Sequence, residues 1–101
     1  MSVEFEWDPA KAEENTRQHS VAFEEAATVF GDSLARIFDD PDHSSDERRE
    51  IIVGYSERQR LLLVSFTERA PKVRIISARR ATRGERQRHE KNIKKVEQES
   101  S

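Results

Sequence analysis

The chain contains no cysteine. That excludes a disulfide framework, a thiolate zinc site and a thiol nucleophile. Three glycines and three prolines among 101 residues exclude collagen-like and low-complexity architectures. Aromatic residues make up 7 %, too few among the basic ones to build a stacking platform for single-stranded nucleic acid. The longest apolar run, Leu61 to Val64, falls far short of the roughly 20 residues that span a bilayer. The first eight residues are acidic and lack the basic start of a secretory signal, so a cytoplasmic protein with no membrane partner is expected. There is also no Gly-x-Ser-x-Gly elbow, no glycine-rich phosphate loop and no His-Glu-x-x-His pair.

What the chain does have is charge, unevenly divided. Charged residues make up 38 % and the net charge is −2. Residues 1–50 carry 14 acids and 5 bases, whereas residues 51–101 carry 6 acids and 13 bases. Between Arg69 and Lys95, eleven bases face only two acids, Glu85 and Glu90. Such a half suits a polyanion or an acidic protein partner, although a solvated helix face has the same composition. The length suits one domain, residues 1–98, with a fraying tail at 99–101.

Periodicity predicts the elements. Val3 to Trp7 alternates apolar and acidic residues, the pattern of a half-buried strand. Asp8-Pro9 is an N-cap followed by the first helical position, opening a polar helix to about His19. Phe23, Ala26, Ala27 and Phe30 form one helical stripe, stopped by Gly31. Strands are predicted at Ser33–Phe38, Arg49–Tyr55, Arg60–Thr67 and Lys72–Ala78, and a basic helix from Thr82 to about Gln98. The short links between the later strands predict antiparallel hairpins. The resulting fold class is α+β, order β-α-α-β-β-β-β-α: an antiparallel sheet, two N-terminal helices on one face, and a C-terminal basic helix. The other face is expected to be open where the arginines lie.

Two chemical features stand out. Asp40, Asp42, Ser44 and Asp46 have the alternate spacing of a calcium loop, but Ser45 and Ile51 stand where that loop needs glycine and glutamate. A solvated turn is expected there, and no metal or cofactor. The second feature is the segment from Thr67 to Arg80. Glu68, Arg69, Arg74, Arg79 and Arg80 are expected on or beside one exposed sheet surface. Arginine forks bind phosphate in bidentate fashion and keep their charge. A carboxylate among them is a candidate orienting group, or a base for a ribose 2′-hydroxyl. That set suits RNA cleavage without a metal, in which arginines stabilise charge on the attacked phosphate and an acid protonates the leaving oxygen. Nucleic-acid binding alone, or a structural arginine cluster, uses the same residues.

Several segments together resemble the BrnT family of toxins. They are Phe5-Glu6-Trp7-Asp8-Pro9-Ala10-Lys11, Asn15, His19 and Phe23-Glu24-Glu25-Ala26, then Asp40-Pro41-Asp42-His43, Phe66-Thr67-Glu68-Arg69, and Arg74-Ile75-Ile76-Ser77-Ala78-Arg79-Arg80-Ala81-Thr82. The resemblance runs in order over about residues 4–91. It implies a RelE/ParE-like fold and a ribonuclease toxin of a type II toxin–antitoxin system that inhibits translation. It also implies a BrnA-type antitoxin partner, with operator DNA met only through the toxin–antitoxin complex. On this sequence it points to Glu68, Arg69, Arg79 and Arg80 as catalytic candidates, with His89 as a candidate general acid. Thr67, Arg74, Arg83 and Arg86 become candidate RNA contacts. The chain departs from the family pattern at Ser20, at Ala70-Pro71 in place of a glycine-containing turn, and at His89, where tyrosine is common. Without a catalytic role, His89 is expected to be a solvated helix residue. Two rival functions are a non-catalytic homologue that binds antitoxin or nucleic acid, and a ParE-like toxin acting on gyrase by protein contact.

Overall fold

The computed structural model describes residues 3–40 and 48–99. The elements run β1 (Glu4–Glu6), α1 (Pro9–His19), α2 (Phe23–Thr28), a 3-10 turn (Val29–Gly31), β2 (Arg36–Asp39), β3 (Glu50–Tyr55), β4 (Leu61–Arg69), β5 (Lys72–Arg80) and α3 (Arg83–Glu99). Most of the calcium-like loop lies outside the described residues.

α1 begins where Asp8 accepts a hydrogen bond from the Ala10 amide at 2.8 Å, with Pro9 in the first turn. It ends at Ser20, whose φ of 57° is left-handed and whose amide donates to Thr16 O. A glycine takes that conformation at less cost, yet serine keeps it. α2 buries Phe23 and Ala26 and then tightens into the 3-10 turn that buries Val29, so the predicted single helix is two pieces.

The sheet order is β1-β5-β4-β3-β2. β2 through β5 form an antiparallel meander. β1 departs from the antiparallel expectation, because it pairs parallel with β5 through Glu4–Lys72, Phe5–Val73 and Glu6–Arg74. Two helices and three strands separate β1 from β5 in the chain, so no tight hairpin forces the pair to be antiparallel. Nothing in the local β1 sequence distinguishes the two pairings.

α1 and α2 cover one face. Val21, Phe23, Ala26 and Val29 pack there against Ile52, Leu62, Val64, Phe66, Ile75 and Ala78, all buried. Phe30 sets its ring 5.1 Å from Phe5 and 5.0 Å from Phe66, tying β1 to the centre. Each fully buried Val, Leu, Ile or Phe side chain among them contributes about 1.5–3 kcal/mol. A buried ion pair closes one end. Glu25 accepts from Arg60 and from the Ser56 hydroxyl, and the Arg60 partner holds its carboxyl below the usual range.

A β-bulge in β5 decides which of its side chains share a face. Ser65 pairs with Ser77 and Phe66 with Ile75, which leaves Ile76 as the extra residue. Ile75 and Ala78 are three apart and both buried, which a regular strand of period two does not permit. The bulge reconciles them.

Candidate functional site

Directly paired residues share a sheet face, so the register assigns each candidate side chain. Thr67 pairs with Arg74, Leu63 with Arg79, Glu68 with Val73, and Leu62 with Arg80. Leu62 and Val73 belong to the helix-covered core. Glu68 and Arg80 therefore stand on the α1/α2 side, while Arg69, Arg74 and Arg79 stand on the opposite face. The expectation of one shared surface for all five groups is corrected by this register. Without the bulge, Arg74 and Arg79, five residues apart, would point to opposite faces. Along β4, the partners of Val73 and Arg79 are five residues apart, so about 16 Å separates Glu68 from the Arg79 position.

The opposite face is not fully open as expected, because α3 lies across one end of it. The helix starts with a capping box. The Glu85 amide donates to Thr82 Oγ1 at 3.2 Å, and the Thr82 amide donates to Glu85 Oε1 at 2.8 Å. The same carboxylate accepts both arms of Arg79, at 2.8 and 2.9 Å. Arg79 holds the Glu85 carboxyl down to about 2, aided by the Thr82 amide. One turn on, His89 packs its ring 6.0 Å from that of Tyr55.

His89 is 4 % exposed, which corrects the picture of a solvated helix residue. Its Nε2 is buried without a hydrogen-bond partner among the described residues. Burial pushes its pKa down, opposed by Asp32. Beside it runs a groove of about 360 Å³ with Phe38, Ile51, Val53 and Leu63 in its walls and Arg36 and Arg88 at its rim. Arg83 and Arg86 are exposed on α3.

Beyond α3 the face presents a row across four strands: Phe38, Ile51, Ser65 and Ser77. A small pocket of about 100 Å³ opens where Ser65, Ser77 and Arg79 meet His19. Asn15 explains why α1 reaches that edge. Its amide nitrogen donates to Val21 O and Ala78 O, both at 2.9 Å, and its oxygen accepts from the Ala78 amide at 3.1 Å. Asn15 thus pairs with β5 where β1 has ended, and His19 follows one turn later. Next along the face, Thr67 is buried and donates to Arg48 O at 2.7 Å, and Arg74 lies 3.9 Å from Glu6.

The structure therefore gathers Arg74, Arg79 and Arg69 on one face, sets Glu68 and Arg80 on the other, and buries His89 and Thr67. Sequence reasoning missed Ser65, Ser77, His19 and Glu85 as parts of this surface. Ser65 and Ser77 were visible as polar breaks in apolar strands, and Glu85 as the fourth residue of Thr82-Arg83-Gly84-Glu85. His19 had no local signal beyond its place in the motif. Among the described residues, no three His, Asp or Glu side chains gather as a metal site, and no helix is long and apolar enough to cross a membrane.

The 1.1 Å crystal structure of the Brucella abortus ribonuclease toxin BrnT is similar to this fold, with a TM-score of 0.62 at 19 % identity over 81 % of this chain and 100 % of that one. No curated protein matches the sequence. The family model described as ribonuclease toxin, BrnT, of type II toxin-antitoxin system matches residues 7–85. With most of its length matched from Trp7 to Glu85, the chain belongs to the BrnT family of ribonuclease toxins of type II toxin–antitoxin systems.

Proposed function

We propose that the protein is a metal-independent endoribonuclease whose substrate lies across the sheet face opposite α1 and α2. The observation that carries this reading is the bulge at Ile76, which brings Arg74 and Arg79 onto one face with Ser77 between them. Arg79, Arg74 and Arg69 contact the RNA phosphates and stabilise the charge that builds on the attacked one. Arg83 and Arg86, exposed on α3, extend the cationic track. Glu68 and Arg80, on the helix-covered side, make no contact with the scissile phosphate in this reading. Cleavage of RNA inhibits translation in the cytoplasm. A BrnA-type antitoxin neutralises the toxin, and operator DNA is met only through their complex. The fold is related to the RelE-like toxins.

The test is incubation of the purified protein with total RNA in EDTA, beside Arg79→Ala and Glu68→Ala proteins. Fragmentation by the parent and by Glu68→Ala, but not by Arg79→Ala, supports the reading. Intact RNA at high protein excess removes cleavage of free RNA. A second reading, a non-catalytic homologue that binds antitoxin, is favoured by the Arg79–Glu85 bridge, which gives Arg79 a structural partner. In that case the parent binds RNA or antitoxin and leaves RNA whole.

A further inference from the structure

Cleavage by a 2′-hydroxyl needs a proton for the departing 5′ oxygen, and the arginines of the face, which keep their protons, do not supply it. The chain has three histidines. His43 lies outside the described residues. His89 is 4 % exposed, packed on Tyr55 beneath α3, and burial disfavours its charged form. His19 is exposed, and it lines the same pocket as Arg79, Ser65 and Ser77. The backbone that carries it is fixed from two sides. Asn15 clamps α1 to the β5 backbone at Ala78. Ser20 then ends the helix in a left-handed turn, also anchored by Arg60, which donates to Ser20 O at 3.0 Å. An imidazole in the same pocket as an arginine can transfer a proton to an oxygen of the phosphate that the arginine binds.

We propose that His19 is the general acid of the reaction, an inference that rests on the RNA-cleavage reading. The 2′ oxygen bonds to phosphorus while the bond from phosphorus to the 5′ oxygen breaks. The 2′-hydroxyl proton passes to solvent, and the His19 imidazolium gives its proton to the 5′ oxygen. The imidazole then regains a proton from solvent. The products are a 2′,3′-cyclic phosphate and a free 5′-hydroxyl. Arg79 holds the phosphoryl oxygens during the step, after leaving Glu85. The Ser65 and Ser77 hydroxyls offer hydrogen bonds on the same pocket wall.

The experiment compares the parent and His19→Ala on two oligoribonucleotides that differ only at the scissile linkage. One carries the natural 5′ oxygen. The other carries a 5′ bridging sulfur, which leaves as a thiolate and needs no proton. Thermal denaturation confirms that the variant folds, as expected for an exposed side chain. The expected result is a loss of about 100-fold or more on the natural RNA, with RNA affinity unchanged. On the sulfur-bridged RNA the variant then cuts within a few-fold of the parent. Equal rates of parent and variant on natural RNA overturn the assignment of His19 alone. Slow cleavage by the variant of both substrates also overturns it, because His19 then acts on something other than the leaving oxygen. A parent that cuts neither substrate overturns the cleavage reading, and this assignment with it.

Discussion

Arg79 on β5 and Glu85 on α3 are joined by two parallel hydrogen bonds of 2.8 and 2.9 Å, so the strand grips the first turn of the helix. The same carboxylate closes the capping box with Thr82. One side chain therefore starts the helix and docks it. A bidentate arginine–carboxylate fork also occupies the donors that a phosphate would use.

Glu85→Gln separates these roles, because glutamine still closes a capping box but carries no charge. The Glu85 carboxyl is lowered to about 2 in the folded chain from a usual value near 4.5. Its contribution to stability is complete above about pH 4.5 and is lost as the pH falls through 2. Arg79 is 43 % exposed, so solvent screens the pair and the loss is about 0.5–1 kcal/mol. Acid titration by circular dichroism is expected to show parent and variant converging below about pH 2. At neutral pH the freed Arg79 is expected to bind a single-stranded RNA more tightly, as read by fluorescence anisotropy.

The division of the arginines between faces predicts different salt dependences. Replacing an arginine that contacts phosphate lowers the slope of log affinity against log salt by about 0.7 for single-stranded RNA. Arg74→Ala is expected to lose about that much, and so is Arg79→Ala in a Glu85→Gln background. Arg80→Ala, on the helix-covered side, is expected to keep the parent slope. An equal loss at Arg80 would place RNA around the strand end and not on the face.

Much of the fold was legible because local chemistry set it. Asp8-Pro9 fixed the start of α1, and the Phe23–Ala26 stripe fixed the buried face of α2. The three later strands carried their own β-branched and aromatic content. The parallel pairing of β1 was not legible, since Glu4–Glu6 reads the same beside any partner. Nor was the sidedness of the arginines. A bulge is one unpaired residue, and Ile76 looks like any other strand isoleucine. The strand register and the combined burial of Ile75 and Ala78 reveal it. Glu68-Arg69 and Arg79-Arg80 look like units in sequence, but adjacent strand residues point opposite ways.

His89 predicts a pH dependence of the opposite kind to a catalytic one. Its pKa lies below the usual 6.5 because burial disfavours the imidazolium. A histidine depressed in this way contributes stability fully above about pH 6.5, and that contribution falls as the pH drops toward its folded value. Asp32 and Glu90 favour the charged form and Arg36 opposes it, so the net direction is set by burial. The melting temperature of the parent is expected to fall as the pH drops below about 6.5. His89→Phe fills the same site against Tyr55 without a titrating group and is expected to flatten that fall. A parallel fall in both proteins would assign the dependence to another group.

Gly54 gives a prediction about the scaffold, resting on space and not on backbone conformation. A Cβ built there meets Ala35 Cβ at 2.8 Å, and Asp32 Oδ2 and Val29 Cγ1 each at 3.0 Å. Asp32 cannot retreat freely, because its Oδ2 accepts the Tyr55 amide at 2.8 Å and its Oδ1 accepts the Leu34 amide at 3.0 Å. Val29 is fully buried in the core. Gly54→Ala is therefore expected to destabilise by about 1–3 kcal/mol through overpacking. For a domain of this size that lowers the melting temperature by roughly 4–8 °C per kcal/mol. Because the tightest contact is with the Ala35 methyl, Ala35→Gly in the same chain is expected to recover part of the loss. The coupling between the two substitutions, measured by a double-mutant cycle in urea, then exceeds the scatter of about 0.3–0.5 kcal/mol seen for independent sites. Simple additivity would mean that Asp32 or Val29 sets the limit instead.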